Sequence, residues 1–129
     1  MRASEEYMLK HYGPERYRVI RELTELMALA KGRDFNKFFI IKRVRAWIPP
    51  LGTKCWAPSD LFDNSRLFIE QLLLKFHKEC RGSIDKYRIG RFCLTRPYTL
   101  DNIQFIRGDK NDPALKKPVS IASLSTLSD

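Results

Sequence analysis

The sequence predicts an α+β fold, in which a helical N-terminal half is followed by a β-hairpin and a short helix. Apolar residues recur at three- and four-residue steps within residues 14–32 and 65–78, which is typical of amphipathic helices. Within residues 83–106 the pattern changes to a strand, a loop marked by Gly90 and Pro97, and a second strand. A chain of 129 residues is long enough for the core of one domain and too short for two.

The predicted domain covers residues 1–117. Its helical part comprises residues 1–48, and residues 49–117 form the part that contains the hairpin. Residues 118–129 are rich in serine and end in an acid, a composition that is typical of a flexible tail.

The N-terminal residues predict two helices that are separated at Gly13-Pro14. Ser4 can cap the first helix, and Pro14 suits the first turn of the second, where its missing N–H costs nothing. The second helix ends near Gly32. Its apolar face consists of Val19, Ile20, Leu23, Leu26, Met27 and Ala30.

Asp34 can cap a further helix, over residues 35–47. Its spacing predicts an apolar side with Phe38, Ile41 and Val44, and an opposite side that carries the cations Lys37, Arg43 and Arg45. A strand over residues 38–41 is the alternative, and periodicity does not distinguish the two.

Proline and glycine interrupt the chain after this helix, at Pro49-Pro50 and Gly52, and residues 57–60 predict a second loop. Residues 65–78 then predict a helix, which Gly82 follows as a stop signal. Beyond the hairpin, Asp112-Pro113 can begin a short final helix.

The charge balance favours a polyanionic partner. The chain has 24 Lys and Arg against 15 Asp and Glu, a formal net charge of +9. Such an excess attracts nucleic acid through counterion release, whereas the alternative is a solvated basic surface. No apolar run approaches the roughly 20 residues of a membrane span, and the N-terminus does not resemble a secretory signal. A cytoplasmic location without a membrane partner is therefore expected.

The three cysteines, Cys55, Cys80 and Cys93, predict neither a disulfide framework nor a zinc ribbon, because their number is odd and none are two residues apart. Zinc ligation by these thiols together with His77 is an alternative, although the spacing matches no standard zinc site. Buried, reduced thiols are the expectation.

The stretch 82–117 contains the strongest candidate site. A strand over residues 83–85 would deliver the carboxylate of Asp85, and Asn111 follows the hairpin. Carboxylate and amide oxygens are ligands that hard divalent cations prefer, so the two side chains could share one ion. Asn102 stands where the second strand begins and can bond across the hairpin loop.

These residues resemble the HNH endonuclease family, especially its phage-borne, homing-type members with a Ser-x-Asp-Arg or Ser-x-Asp-His motif. The matching segments are residues 83–85, 98–105 and 109–111, and the nine-residue step from Asn102 to Asn111 agrees with the family pattern. The resemblance covers about 35 residues well and roughly 70 loosely.

The resemblance implies a ββα-metal fold and a phage-encoded DNA endonuclease that acts in the host cytoplasm, with double-stranded DNA as its expected partner. It implies Asp85 and Asn111 as ligands of Mg²⁺ or Mn²⁺, and Asn102 as the residue that fixes the loop. Where family members most often have a general-base histidine, this chain has Lys86.

Lys86 would need strong desolvation to accept a proton, because lysine has a reference pKa near 10.4. It otherwise serves as a cation for the phosphate, and a water molecule or His77 takes the proton. The predicted catalytic group is therefore Lys86, Asn102 and His77. The predicted phosphate contacts are Arg88, Arg91, Arg96, Arg107 and Lys110.

Two other functions are compatible with the same sequence. Loss of the base histidine favours a catalytically silent, nucleic-acid-binding or host-interfering scaffold. A basic adaptor that docks a host protein through its N-terminal helices is a weaker alternative.

Overall fold

The structure, a computed structural model, describes residues 3–108 and confirms the α+β prediction: four helices precede a two-stranded antiparallel hairpin. The elements are α1 (Ala3–Ala30), α2 (Phe35–Arg45), α3 (Ser59–Asp63), α4 (Ser65–Glu79), β1 (Tyr87–Arg91) and β2 (Ile103–Arg107). The predicted final helix at Asp112, the flexible tail, and the site residues Lys110 and Asn111 lie outside the described residues.

The predicted break at Gly13-Pro14 is confirmed, since α1 is interrupted at Gly13, with φ 80° and ψ 162°. The segment after α2 crosses α1 at this point. The Leu51 N–H donates to the His11 carbonyl at 2.9 Å, and Arg16 Nη1 donates to the carbonyl of Pro50 at 2.8 Å. A Cβ atom on Gly13 would lie 3.1 Å from Leu51 Cδ1. Glycine is therefore required both by the backbone conformation, which is almost exclusive to it, and by the close approach of Leu51.

Gly13→Ala is expected to lower the free energy of unfolding by about 3 kcal/mol, because it combines backbone strain with a steric contact. Gly32→Ala is the matched control, since Gly32 also has a positive φ, 74°, but a Cβ there meets nothing within 4 Å. The control should cost about 1 kcal/mol. Urea denaturation of the two variants measures the difference, and equal losses would contradict the role of Leu51.

Residues 38–41 belong to helix α2, so the alternative prediction of a strand over these residues is wrong. The Asp34 side chain caps the helix by accepting from the Lys37 N–H at 3.1 Å. Ile40, Ile41 and Val44 are buried, so the helix gains its stability from a packed face.

Each of the three cations of α2 bonds to another element. Lys37 Nζ lies 2.6 Å from Glu70 Oε1 of α4, and Arg45 Nη1 lies 3.2 Å from Thr24 Oγ1 of α1. Arg43 reaches the start of β1. Helix α2 is therefore in contact with α1, with α4 and with the hairpin.

The predicted loop over residues 57–60 is wrong at its end, since α3 begins at Ser59. The side chain of Leu61 in this short helix is fully buried, and such burial stabilises a helix too short to persist alone. The helix predicted over residues 65–78 is confirmed as α4 and extends to Glu79. Asn64 caps it by accepting from the Leu67 N–H at 3.0 Å.

The core lies between the helices and one face of the hairpin. Phe76 of α4 contacts Tyr87 and Phe105 edge-on, with ring centroids 5.6 Å and 5.3 Å away. Tyr98 stacks on Trp47 at 4.1 Å. Tyr98 and Phe105 are half-buried and pack against the core. The fully buried side chains are Val19, Leu23, Ile40, Ile41, Val44, Leu61, Phe68, Ile69, Leu72, Phe76, Ile84 and Ile103.

The strand predicted over residues 83–85 is wrong: Ile84–Lys86 forms a single 3-10 turn, and β1 begins at Tyr87. The Lys86 N–H closes the turn by donating to the Ser83 carbonyl at 3.1 Å. The Ile84 N–H donates to Asn36 Oδ1 at 2.9 Å, so its partner is a helix side chain rather than a neighbouring strand. Within residues 3–108, no helix is long and apolar enough to cross a membrane.

Candidate functional site

Asp85 lies on a turn that two side chains of α2 hold in place, one before Asp85 and one after it. Asn36 accepts from the Ile84 N–H at 2.9 Å, and Arg43 Nη1 donates to the Tyr87 carbonyl at 2.8 Å. The buried side chain of Ile84 anchors the same turn in the core. The carboxylate of Asp85 is therefore presented to solvent from a backbone that is held on both sides.

The surroundings of Asp85 favour its ionised form. Its side chain is exposed, and the Ser83 hydroxyl donates to Oδ1. This hydrogen bond, followed by the nearby charges of Lys86 and Arg43, lowers the pKa of Asp85. Burial lowers the pKa of Arg43, and the negative charge of Asp85 acts in the opposite direction. The site thus combines an exposed carboxylate with a partly desolvated guanidinium.

Arg43 is a site residue that the sequence prediction did not include. It is 44 positions from its partner Tyr87, and a basic residue on a helix has the same appearance whether it contacts solvent or a distant turn. No local signal could have identified it.

Asn102 is buried, with 2% of its surface exposed, and binds the hairpin loop with its whole amide group. Its Oδ1 accepts from the Cys93 N–H at 2.8 Å. Its Nδ2 donates to the carbonyls of Cys93 at 2.9 Å, Arg96 at 3.2 Å and Pro97 at 2.9 Å. The expectation that Asn102 bonds across the loop is confirmed, and its part in catalysis stays a prediction.

The three loop arginines predicted to contact phosphate differ in their surroundings. Arg88 is exposed on β1. Arg96 is exposed, and its Nη2 lies 3.5 Å from Asp101 Oδ2. Arg91 packs over two rings, with its guanidinium carbon 4.5 Å from the centre of Trp56 and 4.7 Å from that of Tyr98. Arg91 Nη1 also donates to the Arg96 carbonyl at 2.9 Å. The geometry therefore gives Arg91 a loop-holding contact and leaves Arg88 and Arg96 exposed.

The open end of the hairpin, where β1 starts and β2 ends, carries several cations. Arg107 is exposed, its guanidinium lies over the Tyr87 ring at 5.4 Å, and its Nη1 donates to the Tyr87 hydroxyl at 3.3 Å. Lys86 is exposed beside Asp85. Together with Arg43 they make this end of the hairpin electropositive.

The structure does not bring all the predicted residues together. Asp85 precedes β1, whereas Asn102 precedes β2, so they lie at opposite ends of a five-residue ladder. Such a ladder is about 16 Å long. His77 lies in the last turn of α4, exposed, with an edge contact to the Phe76 ring at 5.5 Å. Within residues 3–108 it has no hydrogen bond to the hairpin, and its role as a proton acceptor stays a prediction.

The cysteines are free and half-buried rather than fully buried. Within the part of the chain that the structure describes, no three His, Cys, Asp or Glu side chains are grouped closely enough to hold a metal. The zinc alternative with His77 and the three thiols is therefore wrong.

The thiols should differ in reactivity. The Thr95 hydroxyl, 3.1 Å from the sulfur, is the main cause of a lowered pKa at Cys93, whereas burial raises the pKa of Cys80. Because the thiolate is the nucleophile, iodoacetamide at neutral pH should alkylate Cys93 roughly tenfold faster than Cys80. Thr95→Val should reduce this difference, because it removes the main cause of the lowered pKa at Cys93 and leaves the burial of Cys80 unchanged. Mass spectrometry of timed samples measures both rates, and equal rates in the unmodified protein would contradict the assignment.

Comparison of the chain with protein-family models, with curated proteins and with solved structures finds no match. The function must therefore be inferred from the geometry of the site and from the HNH resemblance.

Proposed function

We propose that the protein is a metal-dependent HNH-type DNA endonuclease, which hydrolyses phosphodiester bonds and is encoded by a phage. The register of the hairpin is the observation that carries the proposal. Tyr87 pairs with Arg107, and the Gly108 N–H donates to the Lys86 carbonyl at 2.8 Å. Gly108 is therefore paired with Lys86, the residue that follows Asp85. Asn111 comes three positions after Gly108 in the sequence. Under the proposal, Asn111 supplies the second ligand of the metal.

The donor set fits a hard divalent cation. Mg²⁺ is usually held by one or two carboxylates, with water and substrate phosphate in its other positions. Asp85 offers an exposed carboxylate with a lowered pKa, and Asn111 would add an amide oxygen. Bound Mg²⁺ or Mn²⁺ would polarise the phosphoryl group and neutralise charge on the leaving oxygen.

The residues around Asp85 would bind and orient the DNA backbone. Lys86 is exposed, so its ammonium stays hydrated, and it suits a phosphate contact better than proton abstraction. The guanidiniums of Arg43 and Arg107 flank the same end of the hairpin. The proton of the attacking water would pass to solvent or to His77.

Nicking of a supercoiled plasmid in the presence of Mg²⁺ or Mn²⁺ tests this proposal. Asp85→Ala should reduce nicking by about 100-fold, because it removes the one charged ligand. Asp101→Ala is a matched control. Asp101 is an exposed carboxylate at the other end of the hairpin and accepts from the Thr99 hydroxyl two positions away, as Asp85 does from Ser83. The control should keep its activity, and equal losses in the two variants would contradict a metal site at Asp85.

A catalytically silent DNA-binding scaffold is the second candidate, and Lys86 at the position of the family's base histidine favours it. Under this alternative, the unmodified protein does not nick DNA with any divalent metal, yet it binds DNA with a strong salt dependence. Lys86→His would then be expected to introduce nicking. If binding is absent even at low salt, both nucleic-acid functions fail and the host-protein adaptor remains.

A further inference from the structure

An exposed aromatic groove lies at the start of α2. Phe35 is 51% exposed, and its ring centre lies 4.6 Å from that of Phe39. Phe38 meets Phe39 edge-on at 5.1 Å. The groove encloses about 400 Å³ and is lined by Lys31, Gly32, Arg33, Phe35, Phe38 and Phe39. This surface is hereafter the aromatic groove.

The aromatic groove lies at the edge of the core, where the half-buried Phe39 packs against the core and Phe35 is exposed. The buried residues of α2 are Ile40, Ile41 and Val44, which lie on another side of the helix. A single exposed aromatic residue needs no explanation, but the exposed Phe35 adjoins the half-buried rings of Phe38 and Phe39, and together they form an apolar surface that can serve as a binding site.

The charges around the aromatic groove select an anionic occupant. Lys31 and Arg33 line it, none of its lining residues within 3–108 is acidic, and Lys42 Nζ lies 5.7 Å from the centre of the Phe39 ring. Flat apolar rings combined with cations are what an unpaired nucleic acid strand needs, since its bases stack on aromatic rings and its phosphates contact the cations. A duplex, whose bases are already stacked, can use only the cations.

The aromatic groove is continuous with the Asp85 turn. Phe35, Phe39 and Arg43 are spaced by four residues and so form one row along α2. The row is about 12 Å long and ends at Arg43, which contacts the backbone of Tyr87. Stacked nucleotides are about 3.4 Å apart along a strand and unstacked ones are further apart, so at most three or four nucleotides span the row.

We propose that the aromatic groove binds unstacked bases of a single strand, of which a phosphate a few nucleotides away reaches Asp85. The substrate is then single-stranded DNA or DNA that is opened locally. The location of the phosphate rests on the proposed function, whereas base stacking in the aromatic groove does not.

Fluorescence anisotropy with a labelled single strand of about 12 nucleotides, and with a duplex of the same sequence, tests the proposal. Phe35→Ala should weaken single-strand binding roughly tenfold, as expected for the loss of one stacking platform. Duplex binding should change less than about twofold, and the salt dependence should stay unchanged because no phosphate contact is removed. Leu74→Ala on α4 is the control, since Leu74 is 69% exposed and lies outside the groove, and it should alter neither affinity.

Phe35→Trp provides a second readout and should keep single-strand affinity. The unmodified protein already fluoresces through Trp47 and Trp56, so the signal of the new indole is the difference between the two proteins. This added fluorescence should be quenched when a base stacks on the indole. Unchanged single-strand binding in Phe35→Ala, or no added quenching in Phe35→Trp, overturns the proposal and leaves the groove to a protein partner. The outcome is independent of plasmid nicking, because a protein that fails to cleave can still show selective single-strand binding.

Discussion

Asn102→Ala is expected to lower the free energy of unfolding by about 3 kcal/mol and to disorder the hairpin loop. The side chain is 2% exposed and makes four hydrogen bonds to the backbone of Cys93, Arg96 and Pro97. Alanine removes both the donor and the acceptor, so these backbone groups lose their partner within a half-buried loop. An unsatisfied buried polar group costs about 1–3 kcal/mol, and partial access of water limits the sum.

Asn102→Asp distinguishes the acceptor of the amide group from its donor. The carboxylate keeps an acceptor for the Cys93 N–H, but it replaces three donated bonds by repulsion from three carbonyl oxygens. It should therefore be at least as destabilising as alanine. Urea denaturation measures both variants against Asn64→Ala, which removes a single capping bond at an exposed position and should cost about 1 kcal/mol. If Asn102→Ala lowers the free energy of unfolding no more than Asn64→Ala does, the proposed role of Asn102 in holding the loop is contradicted.

The sequence predicted the elements whose signals are local. The long helix before Gly32, the helix capped by Asp34 and α4 each combine apolar periodicity with a nearby start or stop signal. The turn at Ser83 was mistaken for a strand because the donor of Ile84 bonds to Asn36, a residue far away in the chain. Short-range patterns cannot represent such a contact.

The same limit applies to the candidate site. Asn102 could be predicted because it stands where the second strand begins, where an asparagine can bond across the loop, and because it matches the HNH pattern. The sequence could not separate Arg91, which packs between Trp56 and Tyr98, from the exposed Arg88, because both are arginines in one basic segment. Which cation is accessible depends on the tertiary position of Trp56, outside the hairpin.

Phe76→Ala is expected to lower the free energy of unfolding by about 4 kcal/mol, the cost of a large cavity in a packed core. Phe76 is fully buried, and its ring contacts Tyr87 of β1 and Phe105 of β2. It therefore fastens the hairpin to α4. Phe92→Ala is the matched control, because Phe92 is 64% exposed, and it should cost less than about 0.5 kcal/mol in urea denaturation.

The loss of stability in Phe76→Ala should not be uniform along the chain. A two-stranded hairpin is marginal in water on its own, so its amides depend on the contact with α4. In Phe76→Ala, hydrogen exchange should accelerate first at the hydrogen-bonded ladder amides, such as those of Gly90 and Gln104, while the buried face of α2 stays protected. Phe76→Leu fills most of the cavity that Phe76→Ala leaves, and it should restore most of that protection. Equal acceleration in α2 and in the hairpin would mean that the two unfold as one unit, and would contradict a hairpin whose stability depends separately on Phe76.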